Sequence, residues 1–394
     1  MTPTAAPQSV KVSYGLFAFF LLVANLRPAL TSVGPLLETI RTSIGLSHAV
    51  VGLLPTLPLL IFASLSLFAR LGETYGIEKT LAWCLALIAV GIALRSEGSI
   101  AALFAGTAIF SAGIAVANVL VPSLIKRDYP DRVGGMTTAF VMTMTLTGAF
   151  ATGFAVPLAT YLDGGWRSSL AIWAAFAALA LLFWLPEARS KKTAIVTEQP
   201  DNKTVVKPIW RSALAWQVTV FMGLQFLIYF VTIGWMPPYL TALRTPATEA
   251  GWLLSLYQLV GFAVGVVAPP LLRAGRDQRL LAIAACLVTA LCVLGLLAAP
   301  RLAAVWLALS GASFGITFIL AFAFIGLRTT DFRRAASLSA MAQAIGYLIA
   351  AIGPAAFGWL HDLTTGWTVP MLSFAAVAAM QAVAGFGAGR QGQV

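Results

Sequence analysis

Apolar runs of about twenty residues recur along almost the whole chain, and each is long enough to cross ~30 Å of hydrocarbon as a helix. Nothing in a bilayer core can hydrogen-bond an exposed backbone, so such runs span only as helices or as closed barrels. Their unbroken apolarity, without period-two alternation, selects helices. Composition agrees, with 59% hydrophobic and 10% charged residues and a mean hydropathy of +0.89, far from the balance of soluble domains. A soluble enzyme is thereby excluded.

Polar, Pro and Gly interruptions divide the chain into twelve expected helices, at 13–40, 48–69, 79–96, 99–124, 136–161, 168–186, 212–240, 249–272, 279–298, 302–327, 335–360 and 367–388. An even number puts both termini on one side. The net charge of +11 comes from basic residues that punctuate the spans, with no nucleic-acid motif, so it reads as topology. Nineteen Lys and Arg fall on the terminal side, whereas only Arg41, Arg95, Arg167, Arg244 and Arg301 fall opposite. The positive-inside rule then makes both termini cytoplasmic. Met1 to Ser13 is short and polar, and the apolar run after it exceeds signal-peptide length, which predicts a retained first helix.

The chain also repeats itself. Pro35 and Arg41 return as Pro238 and Arg244, Ser111, Gly113 and Ile114 as Ser313, Gly315 and Ile316, and Gly165-Trp166 as Gly366-Trp367, at offsets of about 202 residues. The expected organisation is two pseudo-symmetric six-helix halves, 1–186 and 212–394, joined by a cytoplasmic linker at 187–211 that is rich in Lys, Thr and Pro.

Arg27 is the charge that topology leaves over. It sits near the middle of the first span, where a cation costs a few kcal/mol unless it faces a cavity or a partner. It is read either as an anchor for an anionic or strongly polar substrate, with Thr31 one turn along, or as a brace on carbonyls freed by Pro28. All 14 acidic residues fall at span ends or in loops, so an embedded carboxylate relay is not expected. Glu38 is eleven residues from Arg27, roughly 16 Å along a helix, and too far for direct pairing.

Other polar groups lie at plausible midplane depth. Gln225 and Tyr229, and likewise Gln343 and Tyr347, are four apart and share a helix face. Asn118, Thr143, Tyr257 and Gln258 add hydrogen-bonding groups that should point inward, to substrate or to neighbouring helices. His48 and His361 map to span ends opposite the termini, as ordinary interfacial residues or as a pH-sensitive gate. Trp166, Trp210, Trp306 and Trp367 read as interface anchors, and Trp235 as a cavity wall or a packing partner for the Pro237-Pro238 kink. Cys84, Cys286 and Cys292 have neither the spacing nor the partners of a zinc site, and no metal, cofactor or catalytic constellation is expected.

Two six-helix halves around a cytoplasmic loop resemble the major facilitator superfamily. Between helices two and three, Ala69-Arg-Leu-Gly-Glu73-Thr74-Tyr75-Gly76-Ile77-Glu78-Lys79 keeps an acid and a Gly of that superfamily's signature but lacks its paired Arg. Leu26-Arg27-Pro28-Ala29-Leu30-Thr31-Ser32-Val33-Gly34-Pro35 is similar to the first-helix signature of the cyanate/2-nitroimidazole permease family. Asn118-Val-Leu-Val-Pro122, Trp210-Arg-Ser-Ala-Leu-Ala-Trp216-Gln217, Ile233-Gly-Trp235-Met-Pro237 and Ala342-Gln343-Ala-Ile-Gly346-Tyr347 resemble the same family. The resemblance implies a monomeric, multi-pass transporter of the bacterial inner membrane, with a small-molecule substrate and the lipid bilayer as partners. Taken with Arg27, it points to a small anion or a polarised nitro compound moved by alternating access. The candidate contacts are Arg27, Thr31, Asn118, Gln225, Tyr229, Tyr257, Gln258, Gln343 and Tyr347. The alternatives are a broad lipophilic-drug exporter with Arg27 structural, or a membrane enzyme or sensor.

Overall fold

The computed structural model describes residues 8–64, 76–189, 209–267, 277–330 and 332–394. The first seven residues, the Ala69–Tyr75 part of the inter-helix signature, most of the linker and the end of the eighth span lie outside them. The described residues form helices and turns, with no strand among them. Fifteen α-helices follow in chain order: α1 (Gln8–Ala24), α2 (Pro28–Thr31), α3 (Leu37–Ile44), α4 (His48–Val51), α5 (Leu53–Ala63), α6 (Ile77–Arg95), α7 (Ile100–Asp128), α8 (Val133–Tyr161), α9 (Trp166–Arg189), α10 (Ala213–Ala242), α11 (Ala247–Val267), α12 (Arg279–Ala298), α13 (Ala303–Leu327), α14 (Phe332–Thr364) and α15 (Thr368–Ala388). Among the described residues, eleven spans are long and apolar enough to cross a membrane, and α4 with α5 supplies a shorter apolar helix, His48–Ala63.

Local chemistry sets many of the ends. Ser47, Ser99 and Ser212 are N-caps whose hydroxyls accept from Val50, Ala102 and Ala215 backbone N–H groups. Gly45, at φ 73°, closes α3 in the left-handed conformation that a side chain would disfavour.

The expected single helix over 13–40 is a correction. The first span is broken at Asn25–Arg27, and a 3-10 turn at Gly34–Leu36 separates α2 from α3. Pro28 supplies no N–H for the preceding turn, and Pro35 repeats the interruption about two turns on. The ninth helix likewise runs to Arg189, three residues past its expected end.

Helices α1–α9 pack mainly on one another, as do α10–α15; the main contacts between the sets are α8 with α11 and α5 with α14. These pairs are related by the repeat, because the fifth and eighth spans of one contact correspond to the eleventh and second of the other. Two hydrophobic cores follow this division, one within the first half and one centred on α10 and shared with the first half. Glycines let helix backbones touch where the halves are densest. A Cβ on Gly106 would overlap the Arg95 backbone, and one on Gly311 would overlap the Tyr257 carbonyl.

Arg95 is a second correction. It closes the third span as expected, but where the side tally reads it as a charge at the membrane surface, it is 1% exposed, inside the first half. Glu78, although at a span end as expected, is also buried and is ion-paired with Arg127. Trp166 is no surface anchor either: it is buried and donates to Ser43 Oγ at 3.0 Å.

Candidate functional site

The break in the first span places Arg27 between the halves. Its backbone caps α2, and its guanidinium reaches across to α10, where Nη1 donates to the Tyr229 hydroxyl at 3.1 Å. The charge also lies 5.3 Å from the Tyr229 ring centroid, a cation–π distance. No carboxylate pairs with Arg27 among the described residues, and among them its guanidinium makes no hydrogen bond besides the one to Tyr229. A half-buried cation with spare donors and no counter-charge can take an anion.

Tyr229 is itself held in place by stacking on Phe314, at 5.1 Å and 21°. Tyr347 stacks on Phe226 at 4.6 Å and 9°, meets Phe62 of the first half edge-on at 5.5 Å, and lies within electrostatic reach of Arg27. Two second-half rings, Tyr229 and Tyr347, thus flank the cation, and Phe62 of the first half packs on Tyr347.

The remaining candidates divide into two groups. Thr31 donates to the Gly148 carbonyl at 2.9 Å, which fastens α2 to α8. Gln258 donates to Thr152 Oγ1 at 2.9 Å, joining α11 to α8. Gln225 accepts from Gln381 at 2.7 Å and donates to the Phe314 carbonyl, so its amide is spent within the second half. Tyr257 is buried against Phe314, with its hydroxyl unbonded. Asn118 is partly exposed and has no hydrogen-bond partner among the described residues, and Gln343 donates only along its own helix, to Ser339 Oγ at 2.8 Å. The structure therefore gathers Arg27, Tyr229 and Tyr347, while Thr31, Gln225 and Gln258 serve as ties between helices.

Gly148 went unnoticed in the sequence. A Cβ there would meet Arg27 Cβ at 3.2 Å, with Gln258 Oε1 and Thr31 Oγ1 each at 3.6 Å. Its lack of a side chain is what lets Arg27 sit against α8, and a Gly inside an apolar helix carries no sequence signal that points to a neighbour four helices away.

Closure of the far end, opposite the termini, completes the geometry. His48 Nδ1 lies 2.7 Å from Asp362 Oδ1, and the same carboxylate accepts the Ala49 N–H at 2.8 Å, joining α4 to α14. His48 and His361 face one another at 4.1 Å between ring centroids, and Trp367 packs 4.3 Å from His361. Trp235 is buried, donates to the Pro354 carbonyl at 2.8 Å and packs beside His48, so it is a closure residue and not a cavity wall. The hydrogen bonds that join the halves among the described residues run from the Arg27 level to this far end.

The model of the Major Facilitator Superfamily matches residues 15–354. The chain belongs to that superfamily. It is 42% identical over 382 residues to the 2-nitroimidazole transporter of Escherichia coli (strain K12), covering 96% of each protein. It is 30% identical over 356 residues to the cyanate transport protein CynX of the same organism, covering 89% of this chain and 90% of the relative. Among solved structures, the nucleoside transporter NupG superposes with a TM-score of 0.76 at 16% identity, covering 95% of this chain and 99% of the other. The expected resemblance to the cyanate/nitroimidazole permeases therefore holds, and with it the all-helical fold and a secondary transport function. Superfamily membership argues for a transporter and against an enzyme.

Proposed function

We propose that this transporter carries a small anionic or strongly polar organic compound, of the cyanate or nitroimidazole kind, by alternating access. The observation that carries this reading is the bond from Arg27 to Tyr229 across the two halves, made by a cation with no carboxylate partner among the described residues. A cargo anion or nitro group would take the free N–H groups of Arg27 and offset the cost of holding that charge away from water. Because the two residues belong to opposite halves, cargo at this point is sensed by both, as rocking about a central site requires. Tyr229 and Tyr347 would contact a planar ring, and Asn118 and Gln343 would supply further polar groups.

The halves are 1–186 and 212–394, with 187–211 as linker, and the functional unit is a monomer of the bacterial inner membrane that binds no nucleic acid. Both termini are cytoplasmic. The basic bias toward the terminal side supports that orientation.

Thermal unfolding of purified protein across small anions, nitroimidazoles and neutral drugs tests the cargo class. A compound that stabilises the wild type but not Arg27→Ala supports the reading, because binding to the folded state raises stability by mass action. The aromatic flanks formed by Phe62, Phe226, Phe314 and Tyr347 favour a second reading, export of lipophilic drugs. Equal stabilisation of both proteins by neutral drugs would select it.

A further inference from the structure

A cavity near the far end holds a second cation that the Arg27 site does not use. Its wall is formed by the broken first span, α5, α6 and α7 of the first half and by Phe230, Ile233 and Gly234 of α10. Arg95 and Thr107 are the polar side chains on that wall, and the rest is aliphatic, aromatic or glycine. Arg95 is 1% exposed; Nη1 donates to the Ala29 carbonyl at 2.7 Å, and the charge lies 4.7 Å from the Phe110 ring centroid. Nε and Nη2 are buried with no partner, and no carboxylate pairs with Arg95 among the described residues. Two orphaned donors on a fully buried cation are costly, and nothing in the wall relieves them.

The space open to the centre of a water-sized sphere is about 20 Å³, where a single water needs roughly 10–15 Å³. We propose that this cavity is a small-anion site, in which Arg95 holds an inorganic anion of about one to three heavy atoms. A nitroheterocycle is too large for it, so the site is distinct from the one at Arg27 and does not depend on the cargo assigned there. Because both halves build the wall, the anion has its full set of neighbours only while the far end is closed. Occupancy therefore favours the closed far end. The chemistry fits a halide from the medium or a triatomic cargo anion equally.

Thermal unfolding of the full-length protein in sodium chloride, bromide and cyanate, against gluconate at matched ionic strength, tests the site. The wild type and Arg27→Gln should gain about 2 °C at tenfold the Kd of a small anion, and Arg95→Gln should gain nothing. Gly234→Ala provides a test that leaves Arg95 intact. Its Cβ would meet only Pro55, also on the cavity wall, at 3.4 Å, so the fold should be kept, while the added methyl narrows the space and should weaken the affinity about tenfold. A response to the halides assigns the site to a medium ion, and a response to cyanate alone assigns it to cargo; either supports the proposal. Equal responses in wild type and Gly234→Ala, or no response in the wild type, would overturn it and leave the cavity to water.

Discussion

Arg27 and Tyr229 are 202 residues apart, the same spacing as the internal repeat, so the bond between them joins equivalent positions of the two halves. One half contributes a cation and the other a phenol at the equivalent position, which gives a symmetric framework an asymmetric centre. Arg27→Lys retains the charge but loses the planar fork that can hold an anion and Tyr229 together. It is expected to weaken transport affinity about tenfold, with Arg27→Gln weaker still, as read by uptake into proteoliposomes; unchanged affinity in Arg27→Lys would make the residue a brace. Gly148→Ala is expected to raise the KM several-fold with little change in unfolding temperature, since its Cβ presses on Arg27 Cβ at 3.2 Å while the helix is retained. The sequence singled out Arg27 because a mid-span charge stands out against apolar neighbours. It misplaced Arg95 because a basic residue at a span end looks the same whether the chain then leaves the membrane or folds the side chain back under Phe110.

At the scale of elements, polar side chains expected at cargo depth tie helices together. Gln225 and Gln381 are each about 1% exposed, and the bond between them joins α10 to α15. Replacing either Gln by Leu strands the other amide, with an expected loss of about 1–3 kcal/mol. The double Leu variant should recover part of that loss in thermal unfolding, and additive losses would show that the pair does not act as a unit. Arg328 has a comparable role at the terminal end, where it donates to the Ala388 and Gly389 carbonyls and to Gln278 Oε1 and so holds the ends of α12, α13 and α15 together. Arg328→Ala removes three buried donations at once and is expected to destabilise the second half by about 2–4 kcal/mol, measurable as a lowered unfolding midpoint. Span positions were legible because apolar length alone sets them. The break at Asn25–Arg27 was not, since a proline in a membrane helix is compatible with either a kink or a full interruption.

For the whole molecule, closure at the far end depends on backbone approach that only glycine permits. A Cβ on Gly34 would overlap the Ile233 carbonyl, and one on Gly358 the His48 carbonyl. Gly34→Ala should therefore fold but fail to close the far end. Cysteine labelling at far-end positions should rise and uptake should fall at least tenfold, whereas normal transport with unchanged labelling would show that this contact is dispensable. The Asp362 carboxylate that accepts the His48 and Ala49 N–H groups belongs to the same closure and joins segments more than 300 residues apart.

Taken by itself, the sequence determined the membrane class, the number and placement of spans, the basic bias toward the terminal side and the twofold repeat. Each of these depends on hydrophobic length and on charge position, which are properties of the linear chain. It also isolated Arg27, since a charge costs energy at the bilayer centre whatever surrounds it. Only the tertiary structure decided which polar groups meet. In an all-apolar span, periodicity does not fix the rotation of a helix about its axis. Whether Gln225 turns to Gln381 or to cargo, whether Arg95 lies in a loop or in a cavity, and whether Trp235 lines a pathway or seals it were settled by packing between helices distant in sequence.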